Sequence, residues 1–114
     1  MERIKKYKKL TLSILNEICQ DLLENPNKSV KPYIIKDENA GHFLLYLDGW
    51  QNNRRIYGCS THIQVDDFGK VHLNLDNTDL EIGQKLLDGG VAKSDLVLAF
   101  IAPKRRADAG YAIA

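Results

Sequence analysis

The sequence predicts an α+β fold, in which a long N-terminal helix and a second helix pack on a mainly antiparallel sheet of four to five strands, as a two-layer sandwich. Three observations predict it. Apolar residues recur at helical spacing over the first 24 residues. Residues 30–75 alternate between short apolar runs and turn-forming segments. Residues 78–90 open with a helix-capping signal and close with two glycines.

The first helix is predicted over residues 3–24. Its buried stripe consists of Ile4, Tyr7, Leu10, Ile14, Leu15, Ile18 and Leu22. Residues 25–27 should end the helix, because Pro26 cannot continue the hydrogen-bond ladder. Leu12, Cys19 and Leu23 widen the stripe beyond what one packing partner requires. This width favours a homodimer.

Two strands follow this helix. The first is predicted over residues 30–36, and Pro32 favours an edge position because proline cannot donate to a neighbouring strand. Residues 37–41 form a turn. The second strand spans residues 42–50, and residues 51–53 turn the chain again. Phe43, Leu45 and Leu47 should share one face of the second strand.

The third strand is predicted over residues 55–66 with strict alternation. One face then holds Tyr57, Cys59, Thr61, Ile63 and Val65. The other face holds Ile56, Gly58, Ser60, His62 and Gln64.

The fourth strand, residues 70–75, should form a hairpin with the third. Opposed residues of an antiparallel pair lie on one face, so Val65 is expected to pair with Val71. Residues 67–69 then form a three-residue loop in which Gly69 takes positive φ. A shift of one residue would expose the apolar set to water.

The second helix is predicted to begin with Thr78 as N-cap and Glu81 completing a capping box. Its buried stripe consists of Leu80, Ile82, Leu86 and Leu87, and Gly89–Gly90 should end it. Residues 96–101 are either a fifth strand or one turn of helix. Residues 103–109 are predicted as a basic loop, and residues 111–114 as a short apolar tail.

The composition indicates one globular domain over residues 1–114. A net charge of +1 argues against a dedicated nucleic-acid-binding domain. The isolated Cys19 and Cys59 favour reduced, buried thiols in a cytoplasmic protein. No signal peptide and no apolar run long enough for a membrane span is found in the sequence.

Histidines are the first candidates for chemistry. The predicted register places Gln64 opposite His72, His62 diagonal to His72 and Asp66 on the same face. Two imidazoles and a carboxylate are ligands for zinc or iron, which gives the alternative of a metal-dependent enzyme centred on His62. A diagonal pair of residues is about 7 Å apart, so a polar sheet face without metal or cofactor is favoured.

Nucleophilic catalysis has weak candidates. Ser60 lies on one predicted face with His62, and Cys59 on the other with Thr61. The sequence contains no nucleophile elbow and no Cys-His-Asn order, and its double glycine follows a helix where a phosphate-binding loop would precede one. The sequence therefore contains no recognisable catalytic signature.

Basic residues crowd both ends of the chain. Arg3 is followed by Lys5, Lys6, Lys8 and Lys9, and Lys104 and Arg105 lie near the carboxyl end. Such clusters attract nucleic acid or acidic partners, which makes direct nucleic-acid binding an alternative function. A solvated helix end is the more frequent explanation of a charge run.

The motifs in this order resemble the XisI family, controlling factors for excision of the fdxN element in cyanobacteria. The resemblance covers nearly the whole chain. Its pieces are Gly49-Trp50, Arg55-Ile56-Tyr57-Gly58-Cys59, His62-Ile63, Gly69-Lys70-Val71, Asp76, Thr78-Asp79, Ile82-Gly83, Leu86, Gly90-Val91, Lys93, Asp95-Leu96-Val97-Leu98, Phe100, Pro103, Arg106 and Tyr111-Ala112-Ile113-Ala114. The family ends in a similar tail, so we expect the chain to be complete. Ala92, Ala99 and His72 depart from the family pattern, and the last departure weakens a metal site.

The resemblance implies an accessory role in site-specific DNA excision, in which a recombinase performs the reaction and a companion protein, XisH, works with XisI. We therefore expect an XisH-like protein partner and no catalytic residues. Aromatic and arginine side chains dominate protein interfaces. The predicted partner-binding residues are Trp50, Arg54, Arg55, Tyr57, His62, Arg106 and Tyr111.

Overall fold

The computed structural model describes residues 2–25 and 29–112, apart from the side chain of Ala107. The predicted α+β class is confirmed. The elements are α1 (Glu2–Leu23), β1 (Val30–Asp37), β2 (His42–Gln51), β3 (Arg54–Val65), β4 (Val71–Asp76), α2 (Ile82–Asp88), a 3-10 turn (Lys93–Asp95), β5 (Leu96–Leu98) and α3 (Pro103–Asp108). The predicted role of Pro26 in ending the first helix lies outside the described residues.

The five strands form one sheet in the order β1-β2-β3-β4-β5. Neighbouring strands are antiparallel except β4 and β5, which are parallel. The predicted pairing of Val65 with Val71 is confirmed, and Gly69 takes a φ of 86° in the loop between them. β1 lies at an edge, as Pro32 predicted. The fold therefore keeps the predicted hairpin order.

One face of the sheet packs against α1 and α2 to form the core. Leu15 of α1, Phe43 of β2, Ile63 of β3 and Leu86 of α2 are fully buried there. Leu12 and Cys19 of α1 pack against the same core, whereas Leu23 stays exposed. Most of the wide apolar stripe of α1 is therefore used within one copy of the chain.

A β-bulge in β3 overturns part of the predicted face assignment. Leu45 opposes Thr61, but the next residue, Tyr46, opposes Cys59, so Ser60 is an extra residue. A bulge of this kind reverses which residues face the core. Tyr57 and Cys59 therefore lie on the face opposite to Thr61, and the prediction that all three share a face was wrong.

The predicted capping box of the second helix is also wrong. α2 begins at Ile82, and the residue before it, Glu81, is left-handed with a φ of 53° and caps through no side chain. Thr78 instead accepts a hydrogen bond from the Leu80 amide at 3.2 Å and donates one to Asp76 at 2.6 Å. These local bonds stabilise a turn where the first helical turn was expected. Leu80 is consequently exposed, contrary to prediction.

Four further outcomes concern the carboxyl-terminal third. Gly90 has a φ of 115° just after α2, which confirms the predicted glycine stop. The apolar run contains β5, so the strand alternative is correct. The basic segment predicted as a loop is helical instead, because Pro103 suits the first position of a helix. The Ala112 amide donates to the Leu96 carbonyl at 3.0 Å, and the rest of the predicted tail lies outside the described residues.

Candidate protein-interaction surface

The second face of the sheet, opposite to α1, carries an unusual number of apolar and aromatic side chains. We call it the open face. It consists of Lys31, Tyr33, Ile35 and Asp37 of β1, His42, Leu44, Tyr46, Asp48 and Trp50 of β2, Arg55, Tyr57, Cys59, His62 and Gln64 of β3, and His72 and Leu75 of β4. Tyr33, Ile35, Trp50 and Tyr57 are all exposed, by 39 to 63%. A contiguous surface of this kind is typical of a binding site.

At one end of the open face, five side chains form what we call the hairpin cluster, namely Tyr33, Asp48, Trp50, Arg55 and Tyr57. A guanidinium nitrogen of Arg55 lies 2.7 Å from Asp48 Oδ1, and the Tyr33 hydroxyl donates to Asp48 Oδ2 at 2.8 Å. The Arg55 guanidinium carbon lies 4.9 Å from the centre of the Tyr57 ring and 5.6 Å from that of Trp50. The cluster is therefore a cation between two aromatic rings, fixed by a carboxylate.

Local sequence explains why this cluster forms. Asn52 and Asn53 take positive φ values of 52° and 64°, which gives a two-residue turn and brings the ends of β2 and β3 together. The register opposes Trp50 with Arg55. The hydrogen bond from Tyr33 and that from Arg55 keep the pKa of Asp48 below its usual range, and the bond to Asp48 raises the pKa of Tyr33. Asp48 thus stays ionised as the partner of Arg55.

A pair of histidines occupies the opposite half of the open face. His42 Nδ1 and His62 Nε2 are 3.0 Å apart, and the ring centres are separated by 5.2 Å. Burial lowers the pKa of His62, and the neighbouring His42 lowers it further. The two ring nitrogens can share one N–H···N hydrogen bond.

The predicted metal trio is separated in the structure. His62 contacts His42, whereas His72 Nε2 lies 2.7 Å from Asp66 Oδ2. Burial opposes ionisation of Asp66, but hydrogen bonds from His72 and from the amides of Lys70 and Phe68 outweigh it and lower its pKa. Across residues 2–25 and 29–112, no group of three or more histidine, cysteine or carboxylate side chains is arranged to hold a metal ion.

The candidate nucleophiles also fail to form a catalytic arrangement. The bulge places Cys59 on the open face and Thr61 in the core, so the two no longer share a face. The Cys59 thiol donates to the Thr61 carbonyl at 3.3 Å, and burial raises its pKa. A raised pKa disfavours the reactive thiolate. Ser60 is buried at the bulge.

Four of the seven predicted partner-binding residues lie on the open face: Trp50, Arg55, Tyr57 and His62. Arg54 is exposed beside the hairpin turn. Arg106 donates to the Leu98 carbonyl at 2.9 Å and the Ile101 carbonyl at 2.6 Å, and thereby connects α3 to the end of β5.

Tyr111 lies under Lys93, whose ammonium nitrogen is 4.8 Å from its ring centre, and its ring packs against the core. Sequence reasoning missed Tyr33 and Asp48, which complete the hairpin cluster. The available signal was an edge strand with apolar residues on both faces, since Tyr33 and Ile35 alternate with the core-facing Pro32 and Ile34.

The basic residues lie away from the hairpin cluster in the fold. Lys5, Lys6 and Lys9 line a depression of about 530 Å³ along the first turns of α1. Lys8 donates to the Glu38 carbonyl at 2.7 Å, and Arg3 to the Phe68 carbonyl at 2.7 Å. Lys104 and Arg105 are exposed on α3. The contacts of Arg3 and Lys8 connect α1 to two turns of the sheet.

The fold and its surface define a class: a small two-layer α+β domain whose sheet is covered by helices on one face and exposes an aromatic-rich second face. Comparison with known proteins names the family. The XisI protein family model matches residues 1–113, so this chain belongs to the XisI family, as its motifs predicted.

Two solved structures share the fold. A XisI-like protein from Anabaena variabilis is 31% identical, with a TM-score of 0.84 over 97% of this chain and 99% of that one. The fdxN element excision controlling factor XisI from the same organism is 26% identical, with a TM-score of 0.78 over 98% of this chain and 99% of that one. The comparison with curated proteins gave no match. Among the helices in the described part of the chain, none is long and apolar enough to cross a membrane.

Proposed function

We propose that the chain is a non-enzymatic, cytoplasmic accessory factor in site-specific DNA excision, and that it acts by binding an XisH-like protein partner. The hairpin cluster is the observation that carries this proposal. Membership of the chain in the XisI family supports the accessory role, since a relative of the same fold is an excision controlling factor. The separation of His62 from His72 and of Cys59 from Thr61 supports a role that does not depend on the catalytic groups considered from the sequence.

The hairpin cluster has the chemistry of a protein-binding anchor. Trp50 and Tyr57 are more than half exposed, and each offers a large ring with few rotatable bonds. Trp, Tyr and Arg are the residues that most often dominate interface energies. Asp48 and the Gly49 carbonyl already hold Arg55 in place, so little side-chain entropy is lost when a partner contacts it.

The test is capture of an XisH-like protein, produced together with the chain, by variants of the cluster. We expect Trp50→Ala and Tyr57→Ala each to weaken capture at least about tenfold, the usual size of a hot-spot loss. Phe68→Ala is the matched control, because Phe68 is an aromatic residue exposed by 80% at the tip of the β3–β4 hairpin, outside the open face. Unchanged capture by both cluster variants would contradict this function.

A further inference from the structure

The open face exposes more large apolar and aromatic side chains than a monomeric chain usually leaves in water. It combines four exposed large apolar or aromatic side chains, Tyr33, Ile35, Trp50 and Tyr57, with the half-buried Leu44, Tyr46 and Leu75. Monomeric proteins rarely expose contiguous apolar surface of this extent. α1 and α2 cover the opposite face, and a partner from outside the chain would cover this one.

We infer that a second copy of this chain covers the open face, in a two-fold dimer whose two sheets pack face to face. The size of the face supports this occupant. The four strands of the open face contain 8, 10, 12 and 6 residues, which at about 3.4 Å per residue and about 4.8 Å between strands give about 590 Å² per copy. Two copies would bury about 1,200 Å² together, which is at the lower end of the range of specific interfaces.

The charges of the open face fit a second copy of itself. Its strand residues include two basic side chains, Lys31 and Arg55, and two acidic ones, Asp37 and Asp48. Arg55 and Asp48 already neutralise each other at 2.7 Å. A two-fold contact places the open face of one copy against the open face of the other, so a face with an excess of one charge would repel its copy. The strand residues of this face carry no such excess.

The remainder of the face is compatible with burial in such a contact. The histidine pair satisfies one ring nitrogen on each side, and Leu44, which opposes His62, lies beside it. Side chains of two packed sheets interdigitate at a sheet separation of about 10 Å, which suits the projecting rings of Trp50 and Tyr57. The interface would therefore combine an apolar centre with hydrogen-bonded polar groups.

The alternative dimer surface, α1, is less suitable. Leu12 and Cys19, which suggested a second partner for this helix, pack against the core of the same copy. Among the stripe residues of α1, Leu23 is the large apolar side chain that is exposed, at 58%. The solvent side of α1 carries Lys5 and Lys9, which a two-fold contact would bring into mutual repulsion.

This dimer would regulate the proposed function, and that consequence rests on the proposed function being correct. The hairpin cluster lies on the same face, so a second copy and an XisH-like partner would compete for it. Free chain would form the dimer, and partner binding would require the two copies to separate. A variant that cannot dimerise but keeps the hairpin cluster should therefore bind partner more readily.

The test is sedimentation equilibrium of the purified full chain, compared with two charge variants. Ile35→Glu places a carboxylate in the middle of the proposed contact, at a side chain that is 47% exposed in one copy. Phe68→Glu makes the same change of charge outside the open face. We expect the wild type and Phe68→Glu to be dimers at micromolar concentrations, and Ile35→Glu to dissociate with a Kd raised about a hundredfold or more.

Circular dichroism confirms that each variant is folded, and Ile35→Lys, which keeps the hairpin cluster intact, replaces Ile35→Glu should the latter not fold. A wild-type chain that stays monomeric at hundred-micromolar concentration would overturn the inference. A dimer that resists a folded, charged variant of Ile35 would overturn it as well, because the contact would then lie elsewhere.

The capture experiment separates this inference from the proposed function. If Ile35→Glu is monomeric and captures more partner than wild type, both are supported. If it is monomeric but the Trp50→Ala variant loses no partner, the proposed function fails while the dimer stands. If the wild type is monomeric and Trp50→Ala captures less partner than it does, the dimer inference fails and the proposed partner site stands.

Discussion

The two faces of the sheet are built by alternate residues of the same strands, yet they serve different ends. Phe43 of β2 is fully buried beneath α1, whereas Tyr57 of β3 is more than half exposed on the open face. Both are large aromatic residues on inner strands of the sheet. Because the first is buried and the second is exposed, apolar character alone does not distinguish the two faces. Whether a residue belongs to the core depends on whether a helix of the same chain covers it.

We call the face that packs against α1 and α2 the covered face. Removal of a large side chain from it should have the largest effect on the free energy of unfolding. Phe43→Ala leaves a cavity between α1 and the sheet, and we expect the free energy of unfolding to fall by about 3–5 kcal/mol. Tyr57→Ala on the open face should change it by less than about 0.5 kcal/mol. Urea unfolding measures both, in an Ile35→Glu background so that self-association does not contribute. Similar losses for the two variants would show that the faces are not distinct in this way.

Removal of a hydrogen-bonded hydroxyl on α1, which packs against the covered face, should have the second largest effect on the free energy of unfolding. The Tyr7 hydroxyl donates to Asp95 Oδ2 at 2.8 Å and accepts from the Ala92 amide at 3.3 Å, and both side chains are buried. Tyr7→Phe leaves the carboxylate and the amide without this hydroxyl, which should cost about 1–3 kcal/mol. Thermal and urea unfolding measure the loss.

Tyr33→Phe is the matched control for that change on the open face. It too removes a hydroxyl bonded to a carboxylate, here Asp48, but water can replace the bond. We therefore expect a clearly smaller loss than for Tyr7→Phe. An equal loss would mean that burial does not determine the value of the bond.

Much of the covered face could be predicted from the sequence, because burial imposes a period. The helical spacing around Leu15 and the register of Val65 with Val71 both follow from the need to keep apolar residues out of water. The hairpin loop was predictable for the same reason, since Gly69 tolerates the positive φ that this register requires.

The open face was predictable only in part, because no burial constraint fixes its pattern. The bulge at Ser60 changes the face of Tyr57 and Cys59, and strict alternation cannot reveal it. Similarly, the local hydrogen bonds of Thr78 compete with helix formation and delay α2 to Ile82. Trp50 and Arg55 were identified as surface residues by their type, but their partners Tyr33 and Asp48 come from pairings that only the folded sheet defines.

The histidine pair should give the smallest effect on the free energy of unfolding, and this effect is specific to the open face. Burial and the neighbouring His42 lower the pKa of His62 in the folded chain, so between this lowered value and the ordinary value of about 6.5 the unfolded chain binds more protons. The free energy of unfolding should therefore decrease as pH falls through about 6.5, and this contribution should level off below the folded pKa.

His62→Gln should flatten the dependence in that window while leaving the loss at lower pH, where carboxylates such as Asp66, whose pKa is lowered in the folded chain, become protonated. Urea unfolding at a series of pH values between about 7.5 and 5 measures the slope. An identical slope for wild type and His62→Gln would contradict the assignment, since the pH sensitivity would then originate outside the open face. A flattened slope would show that the open face, although it contributes little to stability, responds to pH through a pair of rings that the covered face does not contain.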